Sequence, residues 1–63
     1  MTKDQAQLIK KWRVTDGCSW RKIAELAFSE RITYAFPNQQ IGIRLCEIAA
    51  DILGENPAEE PWN

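Results

Sequence analysis

Reactive side chains are scarce in this chain: it has two cysteines, Cys18 and Cys46, and no histidine. Without histidine there is no Cys–His or Ser–His pair to activate a nucleophile. No Cys-x-x-Cys pair is present for thiol–disulfide exchange, and two distant thiolates leave a tetrahedral zinc site half filled. Cys18 sits just before an expected helix start with Arg21 and Lys22 close by, a setting that favours a thiolate. The plainer account makes Cys18 a small residue in a turn and Cys46 a packing residue. The expectation is a protein that is not an enzyme and uses neither a cofactor nor a metal.

Anion recognition is the other chemistry the residue types allow. All eight basic residues lie in 1–46 (Lys3, Lys10, Lys11, Arg13, Arg21, Lys22, Arg31 and Arg44). Only Asp4, Asp16, Glu25 and Glu30 oppose them there, so this stretch sums to +4. Residues 47–63 hold Glu47, Asp51, Glu55, Glu59 and Glu60 and no base, which gives −5. The overall charge of −1 thus conceals a basic body with an acidic end. Charged helix ends and tails that confer solubility would produce the same split.

Three helices are expected to position these groups. The first runs over about 3–15, with Thr2 and Gln5 at capping-box spacing and Asp16-Gly17 as the stop. Leu8, Ile9 and Trp12 share one of its faces. The second covers about 20–28 behind Ser19 as N-cap, and Trp20, Ile23, Ala24, Ala27 and Phe28 form its expected core stripe. The third covers about 39–53 and ends at Gly54. It places Ile41, Leu45, Ile48 and Ile52 on one stripe and Gly42, Cys46, Ala49 and Leu53 on the next. So wide an apolar arc suits a central helix wedged between two others, and Gly42 suits close packing. Gln40, Arg44, Glu47 and Asp51 line its outer side, one base against two acids.

The fold class expected is all-α, a compact bundle of three main helices. A short helical turn over 30–35, capped by Ser29, is an option; β-branched Ile32 and Thr33 and the following Pro37 oppose it. With 63 residues, 44% of them hydrophobic, there is material for one small core and little room for an enclosed cavity. Residues 1–54 are read as a single helical domain and 55–63 as an acidic, proline-containing tail. Trp62 in that tail either folds back onto the core or stands out as an anchor for a partner. No apolar run approaches the roughly 20 residues that span a bilayer, and no signal peptide is visible, so a soluble cytoplasmic protein is expected.

The run Gly17-Cys-Ser-Trp-Arg-Lys-Ile-Ala-Glu-Leu26 resembles the opening of a helix-turn-helix unit, as in resolvase-like and homeodomain-like DNA-binding domains. The resemblance spans residues 3–36. It implies a recognition helix over 30–36 that presents Arg31, Thr33 and Tyr34 to a groove of duplex DNA. Lys10, Lys11, Arg13, Arg21 and Lys22 would then contact the phosphates. Where that family usually has Gly after the second helix, this chain has Ala27-Phe28. The competing expectation is a protein-interaction or homodimerisation module that uses Leu26, Phe36, Ile43 and Trp62, together with Tyr34. Basicity of the body favours DNA; the low isoelectric point, about 5.3, and the aromatic residues favour a protein partner.

Overall fold

The computed structural model describes residues 1–56 and 62, and within these the chain is all-helical. Helix α1 spans Lys3–Lys10 and continues through a π-helical turn, Lys11–Thr15. Helix α2 spans Trp20–Ser29 and α3 spans Gln39–Leu53. The expected capping box is present: the Gln5 backbone N–H donates to Thr2 Oγ1 at 3.1 Å, and Thr2 N–H donates to Gln5 Oε1 at 2.9 Å. Ser19 accepts from Lys22 N–H and Asn38 from Ile41 N–H, which satisfies one orphan donor at the start of each remaining helix.

The π turn was not legible in the periodicity, and it reshapes the first corner. Asp16 N–H reaches back to the Lys11 carbonyl and Cys18 N–H to the Trp12 carbonyl, with Gly17 left-handed between them. Buried Trp12 and half-buried Arg13 leave this wide turn together. Arg13 Nη1 donates to the Cys18 carbonyl at 2.8 Å, and its guanidinium lies 3.6 Å from the centroid of the Trp20 ring. The corner between α1 and α2 is closed by that arginine.

Helix α3 packs against both α1 and α2, as its wide apolar arc requires. Buried Ala6, Ile9 and Trp12 meet buried Ile23, Ala24 and Ala27 around Leu45, Cys46, Ala49 and Ala50. A Cβ on Gly42 would overlap the backbone carbonyl of Trp20, so α2 crosses α3 with main chain against main chain. That contact turns the small stripe of α3 inward and corrects the expected core in two places. Ile52 is exposed and Ile48 only half-buried, while Cys46, Ala49 and Ala50 take the inward positions beside them. Phe28, expected in the core, is 46% exposed. Ile23, Ala24 and Ala27 already fill the face that meets α3, and Phe28 falls beyond its edge.

The optional helical turn at 30–35 is not formed. Helix α2 ends in a Schellman motif instead: Arg31 N–H donates to Phe28 O and Ile32 N–H to Ala27 O at 2.8 Å. Arg31 takes the left-handed position at φ 59°. Ile32 packs on the core, and the Thr33 hydroxyl accepts from Ala35 N–H at 3.2 Å, a local bond that competes with helix. Of the two readings of Trp62, the fold-back onto the core is the one observed: it is 1% exposed and part of the core, so its place among the interface residues is corrected. Its Nε1 donates to Glu55 Oε1, while Lys10 Nζ donates to Glu55 Oε2 at 2.8 Å. Residues 57–61 and 63, which include the expected tail acids Glu59 and Glu60, lie outside the described residues.

Candidate interaction surface

The basic residues do not gather into one free face. Lys10 is held by Glu55, and Lys11 Nζ lies 3.4 Å from Asp16 Oδ2. Arg13 is half-buried and engaged with the Cys18 carbonyl and the Trp20 ring. Arg21 Nε lies 3.7 Å from Glu25 Oε1, a weak exposed pair one helical turn apart. Lys22, of the five expected phosphate contacts, has no ion-pair partner among the described residues. On α3, Arg44 pairs with Glu47, and Gln40, Arg44, Glu47 and Asp51 are all exposed, as the spacing implied.

The three expected groove contacts also separate. Arg31 is exposed in the left-handed cap, Thr33 is half-buried and bonded within its own loop, and Tyr34 is 81% exposed. They do not share a helix face, because no helix exists over 30–36. After α2 the next helix is α3, whose inward face is committed to the core. Of the residues expected at a protein interface, Leu26 and Ile43 are half-buried, and Leu26 packs against the core cluster. Leu26 lies beside the buried stripe of α2 and is partly covered by its neighbours, which a helical wheel drawn for one helix does not register. Phe36 is 83% exposed.

The exposed aromatic side chains lie between the last turn of α2 and the start of α3. Phe28, Tyr34 and Phe36 are all open to solvent there, and Tyr34 and Phe36 project from a loop shaped by local bonds. The Asn38 side-chain amide donates to the Phe36 carbonyl at 3.4 Å, and Pro37 limits the backbone before α3. Phe36 and Pro37 form one side of a groove of about 550 Å3 whose other side is Ser19, Trp20 and Arg21. Asn38 and Gln39 also line it.

The cysteines are free and lie in different settings. Cys46 is buried, and desolvation pushes its thiol up to about 11, against a smaller opposing pull from Arg13. Cys18 is partly exposed, and its backbone N–H and carbonyl are both used in the corner after the π turn. Among the described residues there is no group of three or more acids or cysteines placed to hold a metal ion. None of the described helices is long and apolar enough to cross a membrane. No family model, curated protein or solved structure matches this chain.

Proposed function

We propose that this protein is a protein-interaction module that docks its partner through the segment between α2 and α3. The observation that carries the reading is the pair of nearly fully exposed aromatics, Tyr34 and Phe36, in a chain whose three tryptophans are all buried or half-buried. Aromatic side chains this open lose apolar hydration only when something covers them, and such residues dominate binding energy at interfaces. Local hydrogen bonds and Pro37 hold the loop, so little conformational entropy remains to be lost on docking.

The DNA-binding reading draws its support from Lys22 and Arg31, exposed cations with no ion-pair partner among the described residues. Its weakness is that Lys10, Lys11 and Arg13 are engaged within the chain, and a duplex-binding protein gains most of its affinity by neutralising several phosphates.

A photo-crosslinking amino acid placed at Phe36 is expected to join a discrete protein in the producing cell, whereas the same probe at Gln40 is not. A gel shift at low salt should show no duplex complex at micromolar protein. A complex that forms there and weakens steeply with added salt would overturn the proposal in favour of DNA.

A further inference from the structure

Resting on the interaction-module reading, we infer that the groove between the first turns of α2 and α3 receives a short acidic peptide segment. One side chain of that segment would pack on Trp20, Phe36 and Pro37, and a neighbouring carboxylate would meet Arg21. The charge around the groove carries the choice of occupant. Arg21 lines it, held only by the weak, exposed 3.7 Å pairing with Glu25 that an incoming carboxylate can replace; no carboxylate lines the groove, and neither helix has an acid in its first turn. Both helices also point their positive ends there. Ser19 and Asn38 each satisfy one backbone N–H, those of Lys22 and Ile41. The N–H groups of Trp20, Arg21, Gln39 and Gln40 have no acceptor among the described residues.

The groove exists before any partner arrives. The Trp20 carbonyl sits where a side chain at Gly42 would be, which fixes the start of α2 against α3. Arg13 beneath the Trp20 ring fixes the same point from the α1 side. A volume of about 550 Å3 far exceeds one small anion, and its aromatic wall calls for an apolar group beside the charge. A long polyanion fits less well. It would have to continue along α2 past Glu30, an exposed acid at the far end of that helix, whereas a short segment stays at the helix starts.

The test is a titration of the isotope-labelled full chain, read by backbone amide shifts. The probes are an acetylated, amidated hexapeptide, Asp-Leu-Glu-Phe-Glu-Asp, and its counterpart with every acid replaced by lysine. A third probe is a single-stranded thymidine decamer. The acidic peptide is expected to shift Trp20, Arg21, Gln39 and Gln40 and to leave Glu47 and Asp51 unmoved. Arg21→Glu should weaken it about tenfold or more. That variant should stay folded, since an acid in the first turn suits the helix dipole. Phe36→Ser should weaken the acidic peptide as well, without lowering the melting temperature. Equal binding of the lysine peptide, or no effect of Arg21→Glu, would overturn the acidic occupant and leave the interaction module standing. Tighter binding of the decamer at the same amides would overturn both. Absence of any shift at millimolar acidic peptide would overturn the groove as the docking site; crosslinking from Phe36 would then decide the module reading separately.

Discussion

Gly42 and Arg31 show that the residue best suited to a position is set by what lies against it. Alanine normally favours a helix interior over glycine by about 1 kcal/mol. At Gly42 the sign reverses, because the added methyl would overlap the Trp20 carbonyl, a backbone atom that cannot swing aside. Gly42→Ala should cost about 3 kcal/mol in denaturant unfolding, near the upper end for forced overpacking. Arg31 is the opposite case. It holds a left-handed φ of 59° that L-residues adopt only at a cost, and its exposed side chain has no partner among the described residues to repay that cost. Arg31→Gly should raise stability by about 0.5–1 kcal/mol, measured the same way. The thiols separate by the same logic. In the folded protein iodoacetamide should modify Cys18 at neutral pH and spare Cys46, whose burial keeps it protonated; in denaturant both should react.

Among the elements, the helices themselves were the most legible part of the chain. Thr2, Ser19, Gly17 and Gly54 stand where their chemistry stops or starts a helix, and those ends are where the structure has them. Less legible was which stripe of each helix faces inward. Periodicity identifies an apolar arc, but its centre depends on the neighbour's size, and the close crossing at Gly42 turned Cys46 and Ala49 inward at the expense of Ile48 and Ile52. The candidate surface was half legible. Phe36 and Tyr34 stood out as aromatics off the core stripes, whereas the groove beside them required knowing that α2 and α3 begin side by side. Basic residues misled because their partners are set by folding: Lys10 finds Glu55 only when α1 and the end of α3 come together. That pair gives a prediction for the ends of two elements. The hydrogen bond from Lys10 lowers the Glu55 pKa below its ordinary value, with partial desolvation opposing and the Trp62 indole assisting. A lowered folded-state pKa means that the contribution is complete above the ordinary carboxylate value and fades as pH falls through the lowered one. Melting temperature should therefore drop on acidification below the ordinary carboxylate range, and Glu55→Gln should flatten that drop while lowering stability at neutral pH.

For the whole molecule, stability depends on few residues. A domain of this size buries a modest fraction of its surface and has a total stability of roughly 3–9 kcal/mol. Trp62 fills the core together with Ile9, Ile23 and Cys46, the other large side chains that are fully enclosed. Trp62→Ala should cost about 3–5 kcal/mol, enough to leave a large unfolded fraction at 37 °C, which circular dichroism would detect. Trp62→Phe keeps most of the buried area and gives up the indole bond to Glu55, so it should cost about 1–2 kcal/mol. At the same scale, the separation into a basic body and an acidic end acquires a structural meaning. Glu55 from the acidic end closes on Lys10 of the basic body, so part of that asymmetry is spent holding the fold together.

The enclosure of Trp62 also bears on when the protein can finish folding. Synthesis delivers α1, α2 and α3 first, and these three helices share a core that also takes in Trp62, which follows the end of α3 by several residues. Until then the nascent bundle has an open apolar slot beside Lys10. The three helices are thus expected to stay loosely packed until Trp62 joins them, so that a chain stalled on the ribosome before residue 62 emerges would be protease-sensitive.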